Sequence, residues 1–409
     1  MKRLSVLMAV AFVDMMGLML VAPLMAFYAL RLDAAEWMVG PLFASFAVAQ
    51  LVSSPVWGKF SDRYGRRPAM LIGLGASAFA YLIFGFANSL WLLFVSRLVQ
   101  GLGGGTTGVA QAYVADTMAP ADRAKALGWL SAATSAGVVI GPFIGSLAYN
   151  LGTAAPGIVA AALVLVNVAF AWKWLPESRA PHAATHTPSG QLHPPAEIRS
   201  VKQALWEIMR HPERPAHRVI WIYVVGMLAL NVVIGVLALY LKDTFAVTER
   251  TIGYFFLVFG VVGVLMRVWL VGWMNARFGE VRTMQLGAVF LATGLALMPL
   301  PAALMPGAPA MTLFIVFLVL VPAGTALLFP ASTSLVSQRT DRHELGLVMG
   351  AQQTFRGIMS ILGPVGATLA FDGLGHGVPF LIAAAVVAVA GVLAFREPRE
   401  RPVPATISA

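Results

Sequence analysis

The chain has 409 residues, of which 59% are hydrophobic and 11% are charged, and its mean hydropathy is +0.79. This composition excludes a soluble globular protein and indicates an integral membrane protein without a large soluble domain. The formal net charge is +10, and because there is no cysteine, disulfides and thiolate metal sites are excluded as well.

Twelve apolar stretches, each about twenty residues long, can cross ~30 Å of hydrocarbon as helices. They lie near residues 4–28, 37–57, 69–87, 90–112, 125–149, 154–175, 218–241, 251–272, 283–301, 309–333, 346–370 and 376–395. The first is too long for a secretory signal and has no small-residue cleavage site. The sequence therefore predicts an all-α integral membrane fold with twelve transmembrane helices.

Basic residues concentrate in alternate connections between these spans. With the N-terminus inside, the outside connections hold only Arg31, Lys242 and Arg250, and the other loop Lys and Arg residues are inside. Since basic residues in short loops stay cytoplasmic, both termini are predicted to be cytoplasmic. The net charge then reflects membrane topology and attraction to anionic membrane lipid, and no nucleic-acid partner is expected.

The chain divides once, where a polar segment rich in proline and histidine follows the sixth span. In that segment, Glu197 to Met209 has apolar residues at helical spacing, which predicts an amphipathic helix at the cytoplasmic surface. The irregular spacing of the histidines favours a solvated linker over a metal site, and no metal is expected. The predicted parts are a six-helix bundle, a linker, a second six-helix bundle and a tail, at residues 1–175, 176–217, 218–396 and 397–409.

Three features of the first half recur in order in the second. Gly58 to Gly65 is echoed by Gly272 to Gly279, and Gly141-Pro142 is echoed by Gly363-Pro364. Asp122-Arg123 is likewise echoed before the eleventh span. One echo could arise by chance, but three in order indicate a duplicated bundle, as in many secondary transporters.

The loop after the second span reads GKFSDRYGRRP, from Gly58 to Pro68. This segment resembles the signature loop between helices two and three of the major facilitator superfamily. The resemblance implies that Asp62 sits against the N-terminal end of the eleventh helix and that Arg66 pairs with Asp116. Gly58 is expected to let two helix ends approach closely. A solvated basic loop is the alternative to a conformational latch formed by Gly58, Asp62, Gly65, Arg66, Arg67 and Asp116.

Asp14 is the only acidic residue well inside any of the predicted spans. A carboxylate in hydrocarbon is costly, so such groups usually mark ion paths or substrate sites. Asp14, with Gly17 and Pro23, resembles the first helix of the drug:proton antiporter branch, which includes tetracycline-resistance-type exporters. That resemblance implies that Asp14 is the main protonation site. One departure is Phe27, which stands near where many relatives carry a second proline.

Arg97, inside the fourth span, must also find a carboxylate, a carbonyl or water. It resembles the arginine of the family's fourth-helix motif, which implies a role in proton transfer with Asp14 as its expected partner. A structural cap on carbonyls of the facing helix is the alternative. Nearby, Gly103-x-Gly105-x-x-Gly108 matches a dinucleotide fingerprint, but no strand precedes it, so close-packed helices explain these glycines better.

In the fifth span, Gly137, Gly141 and Gly145 recur every four residues and present one smooth helix face, and Pro142 is expected to bend the helix. The pattern resembles the antiporter motif of drug:proton exporters and implies outward transport. A small-residue interface without directional meaning is the alternative.

Polar residues inside the spans are candidates to line a substrate cavity. Arg356 is either an anion contact or an interhelical partner. Methionines and aromatics of the first span would form a pliable wall that suits lipophilic or amphiphilic ligands. The candidate cavity residues are Gln100, Asn231, Gln352, Gln353 and Arg356.

Together these features predict a proton-driven exporter that works by alternating access. The expected setting is the bacterial inner membrane, as a monomer, with the proton gradient in place of a cofactor. The alternatives are a dedicated exporter of one metabolite such as a siderophore, a proton symporter, and a passive channel or membrane receptor. An enzyme is not expected, because no Cys is present, no His lies in the interior of a span, and Asp14 and Arg97 alone do not make a catalytic site.

Overall fold

The computed structural model describes residues 2–178, 201–341 and 343–395. In those ranges the regular structure is helical, without strands. Helices satisfy their own backbone polar groups, which is what hydrocarbon requires of a spanning segment. Ten helical stretches in the described ranges are long and apolar enough to cross a membrane. The predicted all-α membrane fold is therefore confirmed.

The helices of the first half begin with the long helix that carries Asp14. Their bounds are α1 Lys2–Val21, α2 Met25–Arg31, α3 Val39–Tyr64, α4 Arg66–Gly85, α5 Leu90–Gly103, α6 Thr106–Thr117, α7 Pro120–Tyr149 and α8 Ala155–Trp174. Short 3-10 turns at Ala22–Leu24 and Glu36–Met38 precede α2 and α3.

The second half begins with a short linker helix. Its helices are α9 Val201–Arg210, α10 Pro215–Phe245, α11 Ile252–Leu265, α12 Val271–Leu297, α13 Leu300–Leu304, α14 Ala308–Gln338, α15 Leu345–Leu374 and α16 Val378–Phe395. A five-residue π-helix, Met266–Leu270, joins α11 to α12.

Two of the predicted spans differ from the structure in their continuity. The fourth span is not one helix but two, α5 and α6, separated at Gly104 and Gly105. The eighth and ninth spans lie in one stretch, Ile252–Leu304, in which Gly279 has non-helical angles. Because of these two features, ten candidates are found in the described ranges, and the total of twelve stays a prediction.

The glycines that end the echoed segments have similar backbone conformations in both halves. Gly65 has φ +104° and ψ +158°, and Gly279 has φ +78° and ψ +165°. Residues with a side chain rarely adopt such positive φ values, so both positions favour glycine. Pro142 and Pro364 also both lie inside helices, in α7 and α15. The sequence repeat thus coincides with repeated local structure.

The described residues form two compact units. The first unit consists of residues up to 178 together with 237–260, and the second consists of 201–236 together with 261–395. In the first unit, α1 packs along α7 and α8, α3 packs on α5, and α4 packs on α5 and α8. In the second unit, α12 packs on α14 and α16, and α9 packs on α15.

The predicted linker helix is present as α9. Its residues Ala204 and Ile208 are buried in the core of the second unit, so that core covers part of its apolar face. His217 is buried, and its Nδ1 lies 2.8 Å from the carbonyl of His211. Residues 179–200, which include three linker histidines and the predicted start of this helix, lie outside the described residues, as does the predicted tail 397–409.

Candidate functional site

Four polar side chains of the first unit lie around Asp14, the candidate protonation site. We call Asp14, Tyr81, Arg97, Gln100 and Thr106 the polar cluster. The Thr106 hydroxyl donates to Asp14 Oδ2 over 2.8 Å, and the Gln100 amide donates to the Tyr81 hydroxyl over 2.6 Å. Tyr81 is close enough to Asp14 and to Arg97 to interact electrostatically with both. Asp14 is partly exposed, whereas the other four side chains are buried.

The helices of the polar cluster are held in place by close packing around α1. A Cβ atom at Gly17 would lie 3.3 Å from Tyr81 Cε2 and 3.1 Å from Val164 Cγ2, so glycine lets α4 and α8 approach α1 closely. Asn167 on α8 donates its amide to the Val10 carbonyl over 2.9 Å. That bond fixes α8 one turn before Asp14. Asp14 therefore lies on a part of α1 that packs closely against α4 and α8.

Arg97 does not have the partner that the sequence predicts. No ion pair joins Arg97 to Asp14 in the described residues, and the Nε and Nη2 atoms of this buried guanidinium have no hydrogen-bond partner there. Carbonyls of a facing helix therefore do not cap these two atoms. The guanidinium carbon instead lies 5.8 Å from the centre of the Phe84 ring. The expected direct contact with Asp14 is therefore absent from the described residues, and the role of Arg97 in proton transfer stays a prediction. Tyr81, which is distant in the chain, lies close enough to Arg97 to interact with it, and spacing along the chain does not reveal this.

The loop between α3 and α4 contains the ion pair that the family resemblance implied. Arg66 Nε lies 2.9 Å from Asp116 Oδ2, and Arg66 Nη2 lies 2.8 Å from Asp62 Oδ1. Its Nη1 donates to the buried Ser61 hydroxyl over 2.7 Å. One buried guanidinium thus connects the end of α3, the start of α4 and the end of α6. The contact of Asp62 with the eleventh predicted helix stays a prediction.

Gly58 and Gly65 play different parts in this loop. A Cβ atom at Gly58 would meet no described residue within 4 Å, so the expected close approach is not found there. At Gly65, by contrast, a Cβ atom would lie 2.5 Å from Glu177 Oε2. Glu177 accepts hydrogen bonds from the backbone N–H groups of Arg66 and Arg67, over 2.8 and 3.0 Å. A carboxylate there accepts hydrogen bonds from the first N–H groups of α4, and its negative charge interacts favourably with the positive N-terminal end of that helix.

Replacing Arg66 by alanine is expected to lower the free energy of unfolding by about 1–3 kcal/mol, because the buried Ser61 hydroxyl and the Asp116 carboxylate lose their partner. Arg66→Lys should recover only part of the loss, since one ammonium cannot reproduce the three directed contacts. Thermal unfolding of the purified protein measures the effect. Arg63→Ala is the matched control, because Arg63 is exposed at the end of α3 and lies over the Tyr64 ring, without an ion pair in the described residues. Equal melting of Arg63→Ala and Arg66→Ala would contradict this account.

The three glycines of α7 share one helix face, as their spacing predicts, and that face lies against α1. A Cβ atom at Gly141 would lie 2.6 Å from the Met16 carbonyl oxygen. At Gly137 and Gly145 it would meet the carbonyl oxygens of Phe12 and Leu20. Pro142 is buried inside the same helix. The antiporter-like glycines thus set the closest approach of α7 to the helix that carries Asp14.

The candidate cavity residues of the second unit divide into buried and exposed side chains. Asn231 is buried and donates to the Met227 carbonyl over 2.8 Å within α10, and the buried Gln352 lies 3.4 Å from the Thr333 hydroxyl. Gln353 and Arg356 are exposed on α15, where Arg356 Nη1 lies 3.5 Å from Gln353 Oε1. Of these four, only the exposed pair has free surface for a ligand.

Sequence reasoning did not single out Tyr81, Thr106, Asn167 or Glu177. Thr106 and Asn167 are polar residues inside apolar spans, and that contrast is a signal that could have identified them. Tyr81 is an ordinary aromatic residue of the third span, and its hydroxyl becomes notable only beside Gln100. Glu177 lies just after the sixth span, and nothing in its local sequence points to the start of α4.

Comparison with known proteins gives a consistent result. A family model described as the Major Facilitator Superfamily matches residues 7–270 and 219–408. Tetracycline resistance protein, class G, of Vibrio anguillarum is 28% identical over 362 residues, which are 88% of this chain and 88% of that protein. Multidrug resistance protein 2 of Bacillus subtilis (strain 168) is 29% identical over 390 residues, which are 94% of this chain and 92% of that protein.

Solved structures share the fold at lower sequence identity. The human organic anion transporter MFSD10 (TETRAN) matches 96% of this chain and 99% of its own, with a TM-score of 0.66 and 19% identity. The nucleoside transporter NupG matches 95% of this chain and 99% of its own, with a TM-score of 0.75 and 14% identity. At these identities the likeness shows the fold alone.

Proposed function

Because this chain belongs to the Major Facilitator Superfamily and is a multi-pass membrane transporter, we propose that it is a proton-coupled exporter, a drug or metabolite:proton antiporter that works by alternating access. The observation that carries the proposal is the environment of Asp14. The residue is partly exposed, and its carboxylate accepts one hydrogen bond from a neutral hydroxyl and has no ion pair with Arg97.

That environment suits a group that exchanges protons. A carboxylate paired with a guanidinium is held in its charged form, because the cation stabilises the charge. Among the described residues Asp14 has only Thr106 as a hydrogen-bond partner, so its charge in an apolar helix is costly and proton binding removes the cost. Protonation then favours one orientation of the two bundles, and substrate binding with proton release favours the other. Arg97, which keeps unbonded donors next to Tyr81, is the proposed second coupling group.

The conformational parts of the mechanism are assigned to the loop and the helix described above. Arg66, with Asp62 and Asp116, is the proposed latch of the cytoplasmic side, together with Gly65 and Arg67. The α7 glycines with Pro142 are proposed to hold α1 and its aspartate in the orientation for outward transport. Both assignments are supported by the resemblance of these motifs to drug:proton exporters.

The proposed substrate is lipophilic or amphiphilic. The relatives named for tetracycline and multidrug resistance support this class. The proposed cellular setting is the bacterial inner membrane, with both termini cytoplasmic, a monomeric protein, contacts to anionic lipid, and the proton gradient as the energy source.

A second candidate is a dedicated exporter of one anionic metabolite, such as a siderophore. The observation that favours it is Arg356, an exposed cation on an apolar spanning helix without an ion pair in the described residues. An anionic substrate group would supply the missing counter-charge.

Substrate accumulation in inside-out membrane vesicles tests the proposal. The probes are a panel of tetracyclines, lipophilic cations and siderophores, and the control is the same vesicle without the protein. A pH gradient with the acidic side in the vesicle interior is expected to drive accumulation of the substrate. An ionophore that collapses this gradient should stop the accumulation. Accumulation that is identical with and without the gradient would refute proton coupling and favour a passive channel. Accumulation of siderophores only would favour the second candidate.

A further inference from the structure

The interruption of the fourth predicted span is built by the surrounding side chains. Gly104 has φ −71° and ψ +10°, and Gly105 has φ −73° and ψ −4°. Residues with a side chain can adopt these negative φ values, so the backbone conformation does not require glycine here. The lack of room for a side chain does. A Cβ atom at Gly105 would collide with the Trp57 side chain, and one at Gly104 would lie 3.0 Å from Gln50 Nε2. The two glycines therefore let α3 press against the interruption.

Three donors from α3 bond the carbonyls at the end of α5. Gln50 Nε2 donates to the Gly104 carbonyl over 3.1 Å, and Ser53 Oγ donates to the Gly101 carbonyl over 3.2 Å. Trp57 Nε1 donates to the Leu102 carbonyl over 2.5 Å. Carbonyls without partners are costly inside a membrane protein, so these bonds stabilise an interrupted helix over a continuous one. The end of α5 is therefore fixed to α3.

The start of α6, on the other side of the interruption, is tied to Asp14. Thr106 is the first residue of α6, and its hydroxyl donates to Asp14 Oδ2 over 2.8 Å. A charged carboxylate is a strong acceptor for this hydroxyl, and it is also attracted to the positive N-terminal end of α6. A protonated carboxyl is a weaker acceptor and carries no charge, so both attractions decrease together.

The other titratable groups near Asp14 are a tyrosine and an arginine, which do not ordinarily change charge between acidic and neutral pH. On α4 the Tyr81 side chain is close enough to interact electrostatically with Asp14, and it interacts likewise with Arg97 on α5. On α7 and α8, Gly137 and Asn167 lie against this part of α1, and neither of them titrates.

We propose that the interruption between α5 and α6 is a proton-controlled hinge, in which charged Asp14 holds the start of α6 through Thr106 and protonated Asp14 releases it. The bonds from α3 keep the end of α5 in place, so the movement is confined to α6. Because α6 also carries Asp116, the partner of Arg66, the hinge connects the protonation site to the proposed latch. This inference rests on the proposed role of Asp14. Thr106 is a positioning residue.

Hydrogen exchange of the purified full chain, compared at acidic and neutral pH, tests the hinge. Exchange of the amides at residues 101–110, normalised to the unfolded chain at each pH, is expected to rise about fivefold on acidification, the factor that one ordinary hydrogen bond contributes. Residues 75–84 of α4 serve as the internal reference and should not change. In Thr106→Val, the amides of residues 101–110 should exchange fast at both pH values. In Thr106→Ser, which keeps the hydroxyl, their exchange should still rise on acidification.

The matched control is Thr107→Val, which removes the neighbouring hydroxyl and should leave the response intact. A wild-type segment that does not respond to pH, or a full response in Thr106→Val, would overturn the hinge. Gradient-driven export of the Asp14→Asn variant is measured separately. Normal export by that variant would refute the proposed function, whereas a pH response that survives in Thr106→Val refutes the hinge alone.

Discussion

Replacing Asp14 by asparagine is expected to abolish gradient-driven export and to leave a folded protein in the membrane. Asparagine has nearly the same shape as aspartate and keeps an oxygen that can accept the Thr106 hydroxyl, but it cannot bind and release a proton. Because Asp14 has no ion pair with Arg97, the substitution removes no counter-ion from that guanidinium. The variant should therefore fold, but the proton gradient should no longer drive export.

Export by this variant is measured in the vesicle assay, and folding is measured by thermal unfolding of the purified protein. Asp372→Asn is the matched control, because it neutralises an exposed carboxylate near the end of α15 and should export normally. Unimpaired export by Asp14→Asn would show that coupling runs through groups nearer the surface, such as Asp62 or Asp116.

Gly141→Ala is expected to lower the free energy of unfolding by about 1–3 kcal/mol, the usual cost of adding a methyl group to a tightly packed core. The new Cβ atom would lie 2.6 Å from the Met16 carbonyl oxygen and 2.9 Å from Met19 Cβ, so α1 and α7 would have to separate. Since α1 carries Asp14, export should decrease together with stability. Thermal unfolding and vesicle export of the same preparation measure both effects.

The same helix provides the control for this substitution. Gly128 also lies in α7, but a Cβ atom there would meet nothing within 4 Å. Gly128→Ala should be neutral or stabilising, because alanine favours a helix over glycine by about 1 kcal/mol. If Gly141→Ala were as stable and active as Gly128→Ala, the close packing of α7 on α1 would not matter for function.

The features that the sequence predicted well depend on local residue spacing, on motifs and on composition. The four-residue spacing of Gly137, Gly141 and Gly145 places them on one face of any helix, and that face does contact α1. The resemblance of the loop around Gly65 supplied the pairing of Arg66 with Asp116, which spacing alone could not. The all-α membrane class followed from composition and span length.

The features that sequence could not supply depend on tertiary neighbours. The hydroxyl beside Asp14 comes from Thr106, which is distant in the chain, and the partner of Gln100 is Tyr81. The interruption of the fourth span depends on donors from α3 as much as on its own glycines. Gly58 has open space around it in the described part of the chain, which its sequence motif does not reveal.

The most direct test of the central claim is whether substrate movement alone drives protons in the opposite direction. Purified protein in sealed vesicles, with no imposed pH gradient, is given an outward substrate gradient, and the internal pH is followed with a trapped dye. We predict that the interior acidifies as substrate leaves, and that the Asp14→Asn protein produces no pH change. An interior that becomes alkaline would indicate symport. Substrate loss without any pH change in the wild-type protein would contradict proton coupling itself.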